Sequence, residues 1–538
     1  MSSIAFPRPA ARAGALPPGA GHAPTFSAPI LRAPSFRILA FSAACALLLN
    51  ACGGGETEEP PLRVDAVGAA ATDAIIAEST VSGLTARDGE GRTVPGLARS
   101  WRVSDDGLSI VFRLRDAVFA GGRPVMASDV VASIDRARTG TSGPVVRDLL
   151  AGVTRVSAPL PDVVELRLST PQPELLELLA TPPLAVRYRG RQSQAGPFTA
   201  APEPLEPGTT APAGGPAERT TRLIRNPDYF AADRVGVAAA TVRRSTADMA
   251  IQRFNRGESD LVLGGQLEGL GSARVTARRE TLRLEQPRAA LLLLVNRTQG
   301  KLSLLGVRKA LQLAVDRDAI GRGLFGSEAA RPVLGLVPGT VIAYAGPSPD
   351  WAGLPLVARQ EEARRLLAEA GIDSVSSRMR VAVAVSTSPA DDRLMAAIAS
   401  DYAAVGIDFV LIRRTPRDHA VAIAQGAFEL ALVRLESPIN SPLPFLMPNR
   451  CGANRHGVCL PEADALLKDS WTAATLAERQ IAIAAAERLW AEDGASIGLI
   501  QPIDWSLVSP RIAGFSTNPS AVHALRHLSI AKDRKLLE

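Results

Sequence analysis

Residues 95–131 read PGLARSWRVSDDGLSIVFRLRDAVFAGGRPVMASDVV, a pattern of two strands followed by a helix. Apolar and polar residues alternate on both sides of the turn-forming cluster Ser104–Gly107. Two alternating strands separated by such a cluster predict a β-hairpin. Ile110, Phe112 and Leu114 are two residues apart, so we expect them to face the core from the second strand.

A helix is expected directly after this hairpin. Ser128 can cap its N-terminus, and Val131, Ile134 and Ala137 form an apolar stripe along one side. A hairpin joined to a helix predicts a mixed α/β domain. The same patterns predict strands at Leu291–Val295 and Arg380–Ser386 and helices at Val307–Val315 and about Asp391–Val405. They also predict a surface loop at Gln194–Thr221. The capping box Thr475–Glu478 predicts the start of a further helix, whose inward-facing residues are Leu476, Ile483, Ala486 and Trp490.

Length and composition indicate a soluble protein of more than one domain. The chain has 538 residues, whereas single hydrophobic cores stop growing at about 250–300 residues. It is 46% hydrophobic and 21% charged, as ordinary globular proteins are. The net charge is +6, and removing four N-terminal arginines from this total leaves +2. Such a balance argues against a nucleic-acid partner, which needs a basic face. These arginines are Arg8, Arg12, Arg32 and Arg37.

The N-terminal region has the features of an export signal. Residues Ile38–Leu49 form an apolar run after these arginines, and the run is shorter than the about 20 residues that span a bilayer. The tetrapeptide ending in Cys52, LNAC, resembles a bacterial lipobox, in which the cysteine carries the lipid anchor. We expect residues 1–51 to be a signal peptide with a long N-terminal extension and residues 52–60 to be the lipidated cysteine and its tether. An ordinary signal peptide with an incidental cysteine is the alternative.

Two cysteines, Cys451 and Cys459, lie far from the export region. In an oxidising compartment a disulfide between them is expected to stabilise the fold by roughly 2–3 kcal/mol. The alternative is a metal site formed by both cysteines and His456, which lacks a fourth ligand nearby in the sequence.

Residues 95–131 resemble the signature region of the large bacterial extracellular solute-binding proteins, family 5, which serve peptide, opine and nickel ABC transporters. Further segments resemble landmarks of this family in its order, and together they span nearly the whole chain after the export region. These segments are Gly196–Phe198, Arg225–Phe230, Phe254–Asp260, Val307–Leu311, Ala314–Asp318 and Pro461–Leu467.

The resemblance implies an α/β, two-lobed periplasmic binding protein fold of type II, in the large peptide-binding cluster, with an extra inserted subdomain. It places the inserted subdomain in residues 84–169 and lobe II in residues 291–499. Lobe I then consists of residues 60–83, 170–290 and 500–538. Strands at Leu291–Val295 and about Ile497–Pro502 are the expected hinge, about which the lobes close on a ligand.

The resemblance also implies a function. The chain would capture a peptide-like or other small solute in the cleft between the lobes and deliver it to an ABC permease and ATPase complex for transmembrane transport. It would be a periplasmic monomer, lipid-anchored to a membrane of the cell envelope through Cys52. The alternative is an orphan solute-binding lipoprotein that acts as a sensor or chaperone without transport. Peptide, opine and metal chelate all remain open as ligands.

The sequence departs from the family where peptide-binding relatives hold the ligand's ammonium group. When Phe445 and Leu446 are aligned, Ser441-Pro442 stand at the family's Asp-Pro step and Pro438 replaces the Asp that pairs with the ammonium. Because proline carries no charge, we expect a solute that does not rely on a free ammonium group. The residues expected to bind the ligand are Ser82, Arg434, Glu436, Ser437, Pro438, Asn440, Asn449, Asn454, His456 and Gln501.

The sequence contains none of the common catalytic motifs. We find no G-x-S-x-G, H-E-x-x-H, phosphate-binding Gly-Lys-Ser/Thr loop or dinucleotide fingerprint. We therefore predict that the chain is not an enzyme and needs no cofactor or metal. His523 and His527 have the i, i+4 spacing of a helical metal site, but no carboxylate accompanies them in the sequence.

Overall fold

A computed structural model of the chain describes residues 60–140, 143–188, 195–202, 219–278, 280–326, 331–373 and 375–531. The export region, including Cys52, lies outside the described residues. These described residues belong to one compact unit. No helix in the described ranges is long and apolar enough to cross a membrane.

The strands are numbered along the chain. They are β1 (Leu62–Val67), β2 (Thr85–Arg87), β3 (Thr93–Pro95), β4 (Ala98–Val103), β5 (Ser109–Leu114), β6 (Val153–Leu160), β7 (Val163–Leu168), β8 (Phe198–Pro202), β9 (Thr220–Arg225), β10 (Ala239–Ser245), β11 (Leu261–Gly265), β12 (Leu282–Glu285), β13 (Ala289–Val295), β14 (Met379–Ser386), β15 (Ile407–Arg414), β16 (Leu430–Glu436), β17 (Ser496–Ile500), β18 (Asp504–Val508), β19 (Ile512–Ala513) and β20 (Ser529–Ile530).

The α-helices are numbered in the same way. They are α1 (Gly68–Thr80), α2 (Ala127–Thr139), α3 (Pro144–Leu149), α4 (Leu175–Leu178), α5 (Ala247–Asn255), α6 (Leu267–Thr276), α7 (Leu305–Ala314), α8 (Arg317–Phe325), α9 (Leu356–Glu369), α10 (Pro389–Ala404), α11 (Pro416–Gln425), α12 (Leu443–Leu446), α13 (Pro461–Thr472) and α14 (Leu476–Asp493).

The largest sheet in the described ranges has the strand order β12-β18-β11-β1-β10-β9-β8. Strand β1 runs parallel to β10 and β11, and the other neighbours are antiparallel. Leu62, Val64 and Ala66 of β1 are buried at alternate positions and belong to one core cluster with Phe198 and Leu223. This alternation places one face of β1 in that core.

A second sheet has the strand order β15-β14-β16-β13-β17. Every residue of β13 is buried, so both faces of this strand are covered. The predicted strand Leu291–Val295 is therefore confirmed as most of β13, and the strand predicted at Arg380–Ser386 is confirmed as β14. The predicted helices at Val307–Val315 and Asp391–Val405 correspond to α7 and α10.

The hairpin predicted from residues 95–131 is confirmed. Strands β4 and β5 pair in antiparallel fashion around Ser104–Gly107, and they belong to a sheet of order β4-β5-β7-β6. Ile110, Phe112 and Leu114 are at most 3% exposed, as their spacing predicted.

The expected start of α2 needs correction. Its N-cap is Met126, whose backbone N–H donates to the Asp129 carboxylate at 3.0 Å, while Ser128 lies exposed in the first turn. The carboxylate of Asp129 thus satisfies the helix terminus in place of the serine hydroxyl. Val131 is half-buried, and the buried stripe consists of Val130, Ile134 and Ala137.

Two further expectations are partly wrong. The Thr475–Glu478 capping box is confirmed, but Leu476 is 67% exposed because it lies in the first turn, before α14 reaches the core at Ile483. The predicted loop at Gln194–Thr221 contains β8, where Phe198 is fully buried, and its last residues belong to β9. Positions 194 and 203–218 of that loop lie outside the described residues.

Candidate functional site

Within its described residues, the chain crosses between the seven-stranded and five-stranded sheets at two places. Residues 286–288 join β12 to β13, and residues 501–503 join β17 to β18. The two crossings run side by side, because β12 pairs with β18 in one sheet and β13 pairs with β17 in the other. The side chains around these crossings form the candidate site.

Gln501 lies on the second crossing with only 1% of its surface exposed. Its backbone N–H donates to the Arg331 carbonyl at 2.8 Å. Neither Oε1 nor Nε2 of its side chain has a hydrogen-bond partner among the described residues. A buried polar group left unpaired costs about 1–3 kcal/mol, so this amide gains when a polar group of a ligand reaches it.

Arg434 on β16 links the two sheets. Its Nη1 and Nη2 donate to the Asp504 carboxylate of β18 at 3.0 and 2.7 Å, and its Nε donates to Glu436. Burial disfavours the charge of Arg434, but Asp504 and Glu436 hold its pKa above the ordinary value. Burial raises the pKa of Asp504 even though Arg434 opposes this. Arg434 and Glu436 are thus engaged in an ion-pair network beside the crossings.

Ser437 and Pro438 follow β16 and lie against two arginines. The Ser437 N–H donates to the Arg288 carbonyl at 2.8 Å, and the Ser437 hydroxyl donates to the Ile439 carbonyl at 2.6 Å. Nη2 of Arg87 donates to the Pro438 carbonyl. The position at which peptide-binding relatives are expected to carry an anion is therefore in contact with the guanidinium group of Arg87.

Three asparagines expected at the site make contacts within the protein. Asn440 accepts the Ile342 N–H at 2.7 Å, and its backbone N–H donates to Glu177 at 2.7 Å. Asn449 is buried and donates to a backbone carbonyl at 3.4 Å. Asn454 holds its own loop together, since Nδ2 donates to three backbone carbonyls at 3.0–3.3 Å.

Cys451 and Cys459 form a disulfide bond in the structure. His456 lies inside this disulfide loop, 5% exposed, with its ring centroid 5.6 Å from that of Phe428. Neither ring nitrogen has a hydrogen-bond partner among the described residues, and burial lowers the pKa of His456 to about 4. Its imidazole is therefore neutral at physiological pH.

Ser82 lines a small pocket that opens to solvent. Its hydroxyl donates to the Ala195 carbonyl at 2.9 Å. The next residue, Gly83, has no room for a side chain, because a Cβ atom there would lie 2.2 Å from the Leu179 carbonyl oxygen. The pocket is also lined by Glu78, Thr85, Tyr229, Phe230 and Arg526.

The chain matches the sequence profile of the "Bacterial extracellular solute-binding proteins, family 5 Middle" over residues 92–456. The chain belongs to this family. The match covers more than half of the chain, and the resemblance of residues 95–131 to the family is confirmed.

Relatives and solved structures extend the similarity beyond the profile. A probable di/tripeptide-binding protein 5 of Pseudomonas aeruginosa is 27% identical over 463 residues, which are 80% of this chain and 86% of that protein. The periplasmic oligopeptide-binding protein OppA of Escherichia coli is 22% identical, over 82% of this chain and 85% of that protein. The murein tripeptide binding protein MppA of Escherichia coli superposes with a TM-score of 0.77 at 18% identity, over 88% of this chain and 99% of the other.

These similarities establish the fold and the general role. The fold is the α/β two-lobed periplasmic binding protein fold, as expected. The chain is a solute-binding protein of the type that serves ABC importers, and the sensor or chaperone alternative is not favoured. The family is one of binding proteins and not of enzymes.

Four charged residues of the site were not predicted from the sequence, namely Arg87, Glu177, Arg288 and Asp504. Arg87 lies on β2, and Arg288 directly precedes β13. Glu177 accepts from both Arg288, at 3.0 Å, and the Asn440 N–H. The sequence gives little sign of Arg87, Glu177 and Arg288, because their contacts at the site join positions more than 100 residues apart.

The two histidines near the C-terminus do not share a helix face. Nε2 of His523 lies 2.8 Å from Oε2 of the buried Glu285, and the His523 ring stacks on Phe515 with centroids 4.4 Å apart. Nε2 of His527 lies 3.1 Å from the Arg87 carbonyl. No cluster of metal ligands occurs among the described residues.

Proposed function

We propose that this solute-binding protein captures a peptide-like solute at the two strand crossings and delivers it to an ABC importer. The solute is held through its amide groups and does not depend on a free ammonium group. The names of the Pseudomonas and Escherichia relatives, which are di/tripeptide- and oligopeptide-binding proteins, support the peptide-like class.

The observation that carries this proposal is the unpaired amide of Gln501. It offers two N–H donors and one carbonyl acceptor, which complement the single acceptor and single donor of a peptide group. A reciprocal pair of hydrogen bonds would satisfy both partners away from water. A solute rich in amides suits this position better than a sugar, which has only hydroxyl groups to offer.

Pro438 supports the second part of the proposal. Neither its ring nor its carbonyl carries a charge, and the carbonyl already accepts from Arg87. An ammonium group placed here would meet a guanidinium instead of a carboxylate, and like charges at close range repel.

Native mass spectrometry of the chain purified from its own host tests the proposal. We expect mild denaturation to release a small molecule that contains amide bonds. Gln501→Ala should lose most of this passenger, whereas Gln252→Ala, an exposed position on α5, should retain it. Release of a sugar or of a metal chelate without amide bonds would contradict the proposal.

The sheets support the proposed division of the chain into lobes. The strands of the seven-stranded sheet lie in the segments assigned to lobe I, and the four-stranded sheet lies within residues 84–169. The strands of the five-stranded sheet begin at residue 289 and end at residue 500. These bounds differ from those proposed for lobe II, residues 291–499, by two residues at the start and one at the end. We propose that the lobes close as a monomer about the two crossings.

We further propose that Cys52 carries a lipid anchor in the periplasm. Cys52→Ser is expected to abolish incorporation of labelled palmitate and to release the protein from the membrane fraction. Cys45→Ser is the matched control, because Cys45 lies within the apolar run and should not affect lipidation. Labelling that persists in the Cys52→Ser variant would show that the anchor lies elsewhere or is absent.

A further inference from the structure

Two buried arginines converge on the segment that replaces the ammonium-binding residue of relatives. Arg87 reaches the Pro438 carbonyl through Nη2, and the backbone carbonyl of Arg288 accepts from the neighbouring Ser437. The side chains of Arg87 and Arg288 are close enough for Arg87 to help lower the pKa of Arg288, although burial is the larger cause. Only 7% of Arg87 and 6% of Arg288 is exposed.

Both guanidinium groups keep an unused donor. The Nε–H groups of Arg87 and Arg288 are buried and have no hydrogen-bond partner among the described residues. Guanidinium groups use Nε and Nη together to bind a carboxylate or phosphate through two parallel hydrogen bonds. An unpaired, buried N–H of a charged group is costly, so a ligand oxygen that reaches it is bound strongly.

Three arginines, Arg87, Arg288 and Arg526, lie close to two acidic residues, Glu78 and Glu177. Glu177 pairs with Arg288 at 3.0 Å, and Glu78 lies 3.8 Å from Arg87. Burial raises the pKa of Glu78, which favours its neutral form, although Arg87 and Arg526 oppose the shift. Arg526 adds a third cation, since its Nη2 donates to the Arg87 carbonyl at 2.5 Å.

We propose that Arg87 and Arg288 form a subsite for an anionic group of the solute at the position where peptide-binding relatives hold an ammonium group. This inference rests on the proposed function, and it specifies the solute further. The preferred ligand is a peptide-like molecule whose end near Pro438 bears a carboxylate or another oxyanion. Closure of the lobes brings this oxyanion between the two Nε–H donors.

A series of three trialanine amides tests the charge of the subsite. The amide at the C-terminus removes the carboxylate there, and the N-terminus is left free, acetylated or succinylated, which gives a charge of plus one, zero or minus one. Binding is measured by titration calorimetry with the purified full chain. We expect the succinylated peptide to bind at least about tenfold more tightly than the acetylated one, a difference of about 1.4 kcal/mol, and the free amine to bind most weakly.

Three variants assign the preference to the residues named. Arg87→Gln should reduce the ratio between succinylated and acetylated peptides to nearly one. Pro438→Asp should invert the ranking, because its carboxylate repels the succinyl group and attracts the ammonium. Arg92→Gln, at a residue whose side chain is 71% exposed on the same segment, should leave the ranking unchanged. Each ratio compares two ligands in one protein, so a variant that folds poorly loses both affinities without altering their ratio.

The outcomes separate this inference from the proposed function. If all three peptides bind equally, or the free amine binds best, the anionic subsite is wrong and peptide binding stands. If none of the peptides binds, the proposed peptide-like solute is contradicted. The subsite is then judged by the thermal stabilisation that succinate gives relative to sodium chloride of equal ionic strength. A stabilisation that disappears in Arg87→Gln supports the subsite, and its absence in the parent chain overturns it.

Discussion

Glu487 is a buried carboxylate that pairs with neutral donors. It is fully buried, it accepts the N–H groups of Leu336 and Val337 at 2.7 and 3.0 Å, and it accepts the hydroxyl of Tyr344. Burial raises its pKa, although these hydrogen bonds oppose the shift. Glu487 therefore joins the segment around residue 336 to α14. Above its folded pKa the side chain is charged, and burying that charge lowers the stability of the fold.

We expect Glu487→Gln to remove the pH dependence of stability that the raised pKa of Glu487 causes. An acid whose folded pKa is raised stabilises the fold most below its unfolded pKa and loses that contribution as pH rises through the folded pKa. Urea unfolding should show that the variant matches the parent in stability near pH 4 and is more stable than the parent at pH 8. Glu487→Ala leaves two N–H groups unpaired and should cost about 2–4 kcal/mol near pH 4. The cost should be smaller at pH 8, where the parent has lost the contribution of the protonated acid. A difference between Gln and Glu that shrinks as pH rises would refute this assignment.

His456 should produce the opposite pH dependence. Its pKa is lowered to about 4 by burial, so the unfolded chain takes up a proton near pH 6.5 that the folded chain does not take up until about pH 4. Stability is therefore lost as pH falls between these values, by up to about 3 kcal/mol. His456→Leu should become more stable relative to the parent by up to this amount at pH 4.5. An unchanged difference between pH 7.5 and 4.5 would mean that the imidazole finds a partner in solution.

At the scale of single elements, the strongest patterns in the sequence predicted the structure well. Local spacing and turn-forming residues determine the β4–β5 hairpin, the apolar strand β13 and the capping box of α14. Such local patterns can be recognised directly in the sequence. The start of α2 was misplaced because serine and aspartate compete for the same terminal N–H groups. Strand β8 was not predicted because the neighbouring sequence is polar and rich in proline, which indicated a loop, whereas Phe198 within it is buried.

The candidate site was less predictable, because its contacts join residues distant in the chain. Position 438 was located from the family motif, but its partner Arg87 is 351 residues away. Asn440 and Asn454 have the same polar character as a ligand-binding residue, and only the structure shows that each is bonded to its own surroundings. Gln501 was predicted as a site residue, and the structure adds that its amide is unpaired.

The disulfide loop gives a prediction for one element. Reduction of Cys451–Cys459 should cost roughly 2–3 kcal/mol, because the bond closes a loop with a separation of eight residues. The double variant Cys451→Ser/Cys459→Ser should show the same lower thermal midpoint as the reduced parent and should not respond to reductant. Two kinds of hydrogen bond should keep the loop near its position after reduction. Asn454 donates to backbone carbonyls of the loop, and the Cys451 N–H donates to Asp464 at 3.0 Å. A parent chain insensitive to reductant would contradict this role.

At the scale of the whole chain, α4 packs against the segment that carries Pro438. Leu175 and Leu178 of α4 share one core cluster with Ile439 and Leu443. Beside this contact Glu174 accepts from Arg479 of α14 at 2.5 Å and from the Ser441 hydroxyl at 3.4 Å. In the proposed division Glu174 belongs to lobe I and Arg479 to lobe II, so this ion pair joins the two proposed lobes.

Removing this ion pair should shift the lobes towards the open arrangement. Arg479 is 5% exposed, and breaking a buried pair by changing one partner typically costs about 3–5 kcal/mol. We therefore expect Glu174→Gln to increase the radius of gyration of the ligand-free chain in X-ray scattering and to weaken solute binding, while saturating solute restores the compact value. Arg365→Gln is the control, because its ion pairs lie on the surface of α9 alone. If Glu174→Gln lowers the thermal midpoint but leaves the radius unchanged, the pair stabilises the fold locally and closure depends on the ligand and the two crossings.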